Sequence, residues 1–302
     1  MKWKKIGHIF CPSGETEWMQ SHAAVPIAEN VGGDVFRIYF SARDQLNRSH
    51  TGFVIIDITK PSEILDLSDS PVLSPGQLGE FDDSGAMATW LTKTKNSSFM
   101  YYIGWNLGVT VPFRNAIGLA VGDAKSHYVR YAAGPIVDRS MHEPHFCATC
   151  CVFPGDDYWR MWYQSCTEWL QANGKPQHRY HIKYAESDDG INWRRNGLIA
   201  IDYSNDDECA IARPSVIRDT NKWKMWFSFR EKAYRIGYAE SEDGRKWVRL
   251  DDLAGIDVSS SGWDSEMIEY PFVFDHNGQR FMLYNGNGYG KTGFGLAVLE
   301  NK

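Results

Sequence analysis

Five stretches of the chain set charged or polar side chains just ahead of an apolar, strand-like run. They are Ser21-His22, Asp82-Asp83, Glu143-Pro144-His145, Asp207-Glu208 followed by Arg213, and Asp264 to Glu269. Carboxylates in such places suit general acid–base work, and histidine or arginine beside them suits a polar or anionic ligand. Surface composition supplies charges singly, whereas recurrence at equivalent places argues for one shared cavity. Glu143 stands directly before Pro144, so its backbone is extended and its carboxyl can turn inward. In GEFDDSG one of Asp82 and Asp83 faces the cavity and the other a turn, unless both are turn residues. In GWDSEMIEYPF, Asp264 and Glu266 share one face of an extended chain and Glu269 falls on the other. Glu269 then takes the place that Glu143 has in its own stretch, with Glu266 on the loop above.

Arginines lie in the same neighbourhoods. Arg213 (ARPS) matches Glu143 (EPHF) and Glu269 (EYPF) in position, Arg43 and Asp44 follow the run YFSARD, Arg230 follows WFSFR, and Arg114 ends the insertion NLGVTVPFR. Pairing with the nearby carboxylates is the plain account of them. Several guanidinium forks at one rim also suit phosphate or a sugar acid. A tight cluster of Arg43, Arg213 and Arg230 supports the second account, and arginines scattered around the outside refute it. Among the aromatics, Trp105 and Trp169 sit beside insertions and stand apart from those expected to pack between repeats. Candidate ligand contacts are therefore His22, Arg43, Trp105, Arg114, His145, Glu208, Arg213, Arg230 and Glu269. His22 and His145 can meet and hold a water or cation, but no metal site is expected. Cys147, Cys150 and Cys151 lie inside one strand and point to opposite faces, so they cannot close a tetrahedral site.

The elements that must bring these residues together are repeats. YAESDDGINW at Tyr184 to Trp193 returns 54 positions later as YAESEDGRKW at Tyr238 to Trp247. A strand core of Met or Ile followed by two large residues occurs at Ile38, Met100, Met161, Met225 and Met282, with spacings of 62, 61, 64 and 57. Each of the five units shows two or three strand-like runs and a turn rich in Gly, Asp or Asn. The last unit lacks an outer strand, while Trp3 to Phe10 is a strand-like run without a unit of its own. If that N-terminal strand completes the last unit, the ring closes and no open edge remains between the first and last units. The expected fold is all-β: a single domain over residues 1–302, a five-bladed β-propeller with four antiparallel strands per blade. In it the Trp after each Asp-Gly turn covers the space between neighbouring blades.

Composition narrows the function. A net charge of −6 without a basic cluster makes nucleic acid an unfavourable partner. No window reaches 18 apolar residues, so a membrane span is not expected, and MKWKKIGHIFCPSG does not read as a signal peptide. Six unevenly placed cysteines do not make a disulfide scaffold and fit a reduced, cytoplasmic setting. No Gly-rich phosphate loop, HExxH or nucleophile elbow is present, and no cofactor is expected.

The repeated SDDG and SEDG turns each followed by Trp, the FDD at Phe81 to Asp83, the EPHF at Glu143 and the ARPS at Arg213 give the pattern a likeness. It resembles the five-bladed glycoside hydrolase superfamily of β-fructosidases, arabinanases and xylosidases, an architecture shared with mannoside phosphorylases. That likeness implies carboxylates on successive blades: Asp83 resembles a second-blade carboxylate and Glu143 a third-blade one, with Glu266 a further candidate. Blade one departs from the pattern, since Ser21-His22 stands where the family shows an Asp; the base is then missing or displaced to Asp44. Glycosidic cleavage uses one protonated carboxyl to donate to the leaving oxygen and one ionised carboxylate to attack or to activate water. With phosphate as the attacking group, the pocket needs no carboxylate base. The resemblance thus implies a carbohydrate-active enzyme cleaving or transferring a glycosyl group, its partner a small carbohydrate or sugar phosphate. A noncatalytic or transferase-like sugar-binding propeller and a protein-interaction scaffold are the alternatives.

Overall fold

The computed structural model describes residues 1–94, 97–123, 126–172 and 174–300, and these are almost entirely β-strand. After β1 (Trp3–Phe10), the strands fall into five antiparallel sets. The first set is β2 (Ser21–Gly32), β3 (Val35–Arg43), β4 (Ser49–Asp57) and the short β5 (Ile64–Leu67). The second is β6 (Gly85–Lys93), β7 (Ser98–Leu107), β8 (Phe113–Gly122) and β9 (Tyr128–Arg130). The third is β10 (Cys147–Phe153), β11 (Trp159–Ala172), β12 (Lys175–Ser187), β13 (Trp193–Arg194) and β14 (Ile199–Ile201). The fourth is β15 (Ala210–Arg218), β16 (Trp223–Arg230), β17 (Tyr234–Ser241) and β18 (Val248–Arg249). The last is β19 (Glu269–His276), β20 (Gln279–Asn285) and β21 (Phe294–Leu299), and β1 pairs antiparallel with β21 from Trp3↔Leu299 to Phe10↔Phe294. Among the described residues no helix is long and apolar enough to cross a membrane, which says nothing of strands.

The marker residues Ile38, Met100, Met161, Met225 and Met282 are all fully buried, which is why their period shows in the sequence. The two copied turns are also the same object. Ser187 and Ser241 hydroxyls accept the amides of Gly190 and Gly244, while Asp189 and Asp243 carboxylates accept the next two amides. Gly190 and Gly244 both sit at φ 74, a conformation that favours glycine. The tryptophans that follow reach the preceding set: Trp193 meets Tyr101 and Trp247 meets Trp162.

The first strands of the five sets pack in a cycle, β2 on β6, β6 on β10, β10 on β15, β15 on β19 and β19 on β2. Each is bulged, with register shifts at Ala24/Ile27, Ala88/Trp90, Cys147/Cys150, Ala212/Ser215 and Glu269/Phe272. A bulge frees a backbone N–H from its own ladder, and a buried N–H needs a partner. A neighbouring set supplies it each time. Thr51 Oγ1 accepts Ala88 N at 2.9 Å, Thr89 Oγ1 accepts Cys150 N at 3.3 Å, and Thr149 Oγ1 accepts Arg213 N at 2.9 Å. Ser215 Oγ accepts Val273 N and Asn285 Oδ1 accepts Val25 N, both at 2.8 Å. These five bonds stitch the cycle. Thr149→Val orphans the Arg213 amide and the Gln164 side chain that Thr149 also meets. Chemical denaturation of that variant is expected to show a loss of about 1–3 kcal/mol.

Candidate functional site

A cavity of about 440 Å³ opens at the end where the first strands begin. Its floor is backbone and small side chains of the bulged strands, among them Val25, Ala148, Thr149 and Ala212. Its walls are largely aromatic: Trp105 and Phe113 on one side, Tyr180, Tyr234, Tyr270 and Tyr289 on the other. Asn115, Gln164 and His178 add polar atoms, and Arg43 and Arg230 add charge. No Asp or Glu is among the described residues that line it.

Strand ends position the two arginines. Arg43 closes β3 and Arg230 closes β16, so both reach the mouth by the same local logic in different sets. Arg230 Nη1 lies 3.2 Å from the Tyr289 hydroxyl, its guanidinium centre is 5.1 Å from the Tyr234 ring, and its buried Nε has no partner among the described residues. Among the described residues, the Arg43 guanidinium makes no hydrogen bond or ion pair, and burial pulls its pKa down although Tyr270 opposes this. Guanidinium stays charged at such shifts. Neither arginine is neutralised in an ion pair by a carboxylate among the described residues, so the cavity carries positive charge in a partly desolvated setting. Burial, with Arg230 adding to it, lowers His178 to about 4, leaving it neutral near pH 7. Trp105 is fixed by an Nε1 hydrogen bond to Ser49 Oγ at 3.1 Å. Trp169 on the β11–β12 hairpin braces Phe113 and His178 rather than lining the cavity itself.

The expected acid–base residues do not line this cavity. Asp83 closes a turn, its carboxylate accepting Gly79 N and the Ser84 hydroxyl at 3.0 Å each. Asp82 is buried but is paired with Arg130 at 2.8 Å. Glu143 is fully buried between Lys183 at 3.3 Å and Arg195 at 3.1 Å, and it also accepts from Ser140 and Tyr163. Glu208 is paired with Arg249 at 2.7 Å and Asp264 with Lys5 at 2.7 Å. In each case the carboxylate sits on the segment entering a first strand and a cation comes from an outer part of the same sheet. Such a clasp recurs in four of the five sets, at Asp82, Glu143, Glu208 and Asp264, and none of these four carboxylates lines the cavity. Glu266 is exposed on its loop, its own backbone N–H bonded to Asn287. Asp44 organises the β3–β4 loop, accepting Leu46 and Arg48 amides at 2.9 Å and facing Arg48 and His50.

Several expected ligand contacts also move. Arg114 is exposed because Phe113 and Asn115 on either side face the cavity and β-strand side chains alternate. His145 is half-buried and does not line the cavity. His22 bonds Ser21 Oγ at 2.8 Å, and burial together with Arg43 and Lys291 lowers it to about 4; it too stands outside the lining. Arg213 lies under the floor, fully buried, donating to the carbonyls of Thr89 at 2.6 Å and Pro26 at 3.2 Å between the Trp90 and Phe272 rings. The expected cluster of three arginines is thus two at the surface of the cavity and one beneath it. Glu269 is fully buried next to the tyrosine wall but does not line the cavity. The wall itself, Tyr180, Tyr234 and Tyr270, is not among the sequence expectations; Tyr234 and Tyr270 fall at the start of their strands in different sets, whereas Tyr180 lies in the middle of the long β12.

No family model matches the chain. Over 301 residues, all of this chain and all of each relative, it is 47% identical to Uncharacterized protein Rv1502 and to Uncharacterized protein MT1551, both of Mycobacterium tuberculosis. Solved structures share the fold at low identity. A thermostable family-43 glycoside hydrolase matches with a TM-score of 0.67 at 18% identity, covering 92% of this chain and 88% of that one. A glycosyl hydrolase from Bacteroides ovatus gives 0.71 at 12%, covering 99% and 90%. A structure from work on the GH130 family of mannoside phosphorylases gives 0.71 at 12%, covering 99% and 93%. The sheets therefore resemble propeller-type glycosidase folds, and the chain belongs to one family with the two mycobacterial proteins Rv1502 and MT1551.

Proposed function

We propose that the chain is one closed five-bladed propeller and a carbohydrate-active protein whose cavity takes an anionic sugar, with the anion on Arg43 and Arg230. The cycle of first strands and the pairing of β1 with β21 support the architecture. One observation carries the function: two guanidiniums without carboxylate partners line an aromatic-walled cavity, while the buried carboxylates Asp82, Glu143, Glu208 and Asp264 are held by cations elsewhere. Flat faces of Trp105 and the tyrosines suit a sugar ring, and the paired forks suit phosphate or carboxylate.

The chemistry this favours is glycosyl transfer with phosphate. Most glycosidases hydrolyse with two carboxyl groups at the scissile bond, and the lining supplies none among the described residues. A protonated phosphate brings its own attacking oxygen and a proton for the leaving oxygen; the glycosidic C–O bond breaks as the sugar–phosphate bond forms. Binding without turnover is the second reading, favoured by the same lack of a carboxyl in the lining. Calorimetry with hexose 1-phosphates, hexuronic acids and the parent neutral sugars tests the recognition. Anionic sugars are expected to bind at least about tenfold tighter, a difference of about 1.4 kcal/mol; equal affinities overturn it. Aryl glycosides with and without inorganic phosphate test the chemistry: phosphate-dependent sugar phosphate, seen by phosphorus NMR, supports phosphorolysis. Release independent of phosphate refutes it, and binding with no release selects the second reading.

A further inference from the structure

Behind the tyrosine wall lies a carboxyl that no step above uses. Glu269 opens β19, is fully buried, and neither of its carboxyl oxygens has a hydrogen-bond partner at normal geometry among the described residues. Its electrostatic neighbours are Arg230 and Tyr270, which both line the cavity. Arg230 for its part keeps a buried Nε without a partner and spends one Nη on a tyrosine hydroxyl. Two complementary groups thus stand within electrostatic reach, each with unused hydrogen-bonding capacity, and yet they form no ion pair. A buried ionised carboxylate in that position would draw the guanidinium to itself. A neutral carboxyl does not.

We propose that Glu269 is a positioning residue for the anion site: protonated, it leaves Arg230 free for the ligand's anion, and ionised, it takes Arg230 for itself and weakens binding. This rests on the reading of the cavity as an anion site. The surroundings fit a neutral carboxyl. Burial drives its pKa well above the ordinary carboxylate value, with Arg230 and Tyr270 opposing only in part. Tyr180 from β12, Tyr234 from β17 and Tyr270 face this corner, and their hydroxyls all lose acidity by burial and stay neutral; Tyr289 and the Arg43 guanidinium are electrostatic neighbours of Tyr270. Tyr180 and Tyr234 are hydrogen-bonded to each other. From β20, Asn285 stands opposite Glu269, but its amide is committed to Ala23 O and Gly293 O. His178, at about 4, has lost its proton before this range begins. Cys209 turns its thiol to the Arg230 carbonyl.

The linkage fixes the sign. Binding needs Glu269 protonated, so affinity is full below its pKa and falls by up to about tenfold per pH unit above it. Sulfate, whose charge does not change from pH 5 to 8, is the probe. Calorimetry of the wild type is expected to show affinity falling as pH rises, with proton uptake measured from two buffers of different ionisation enthalpy. Glu269→Gln keeps the neutral shape and is expected to bind as the wild type does at low pH, without the slope. A slope that persists unchanged in Glu269→Gln, or a wild type with neither slope nor proton uptake, overturns the proposal while leaving the anion site standing. If sulfate fails to bind at every pH, the anion site itself falls, and this proposal with it. Should the variant not fold, wild-type proton uptake alone decides.

Discussion

Arg230→Gln lowers the affinity of the cavity for sulfate or a hexose 1-phosphate by about a hundredfold, and Arg43→Gln lowers it by about tenfold. Removing one partner of a desolvated, hydrogen-bonded charge pair costs about 2–5 kcal/mol, and each 1.4 kcal/mol is tenfold in Kd. Arg230 is ringed by Tyr234 and Tyr289 in a low-dielectric corner, so its loss falls in that range. Arg43 acts from the opposite set without a tyrosine hydroxyl to orient it, and a smaller loss follows. Arg230→Lys recovers only part, because an ammonium cannot present two parallel N–H donors. Stability is expected to change little, since Arg230 makes no ion pair and its side chain is held by one phenol. Titration calorimetry reads the affinity and thermal melting reads the fold. An Arg230→Gln protein that binds within about threefold of the wild type removes the anion from this cavity.

Periodicity was readable in the sequence because the fully buried strand cores Met100, Met161, Met225 and Met282 tolerate few side-chain types. The pairing of β1 with β21 was readable too, as a strand lacking a unit beside a unit lacking a strand. The site was not. A carboxylate's residue type says nothing of its partner, and the cations that hold Asp82, Glu143 and Glu208 lie 48, 52 and 41 positions away. Lys5 reaches Asp264 from 259 positions away, through the very strand that joins the two ends of the chain. Matching Glu143-Pro144 with Arg213-Pro214 was a false alignment. Arg213 belongs with Val25 and Tyr270, each at φ 54 before a proline, where the first strand bulges. Proline fixes its own φ and restricts the residue before it, so the dipeptide marks a backbone event and not a channel carboxyl. Tyr180, Tyr234 and Tyr270 escaped notice because tyrosines inside strands look like packing until the sheets are set around one centre. Among the expected contacts, Arg43, Trp105 and Arg230 do line the cavity. All three lie at or near the end of a second strand, the one sequence position that maps onto the mouth without knowledge of register.

Glu143→Ala separates the clasp from the cavity most sharply. The carboxylate sits with no exposure between Lys183 and Arg195, whose side chains are only 10% and 15% exposed. Truncation strands two cations and leaves Ser140 and Tyr163 without their acceptor. Breaking a buried pair from one side costs about 3–5 kcal/mol, and urea denaturation is expected to show a loss of that size. Sulfate affinity, measured on the folded fraction at low temperature, is expected to stay within about threefold, because Glu143 lies outside the lining. The pH dependence adds a signature. Burial pushes the Glu143 carboxyl up, but the Ser140 hydrogen bond and the Lys183 and Arg195 charges outweigh it and bring it below the ordinary value. A folded pKa lower than the unfolded one gives stability that is present above the unfolded value, about 4.3, and is lost as pH falls through the folded one. The stability gap between wild type and Glu143→Ala is therefore expected to be constant from about pH 6 to 8 and to narrow in acid. A variant that keeps wild-type stability but loses ligand binding reverses the assignment and returns Glu143 to the site.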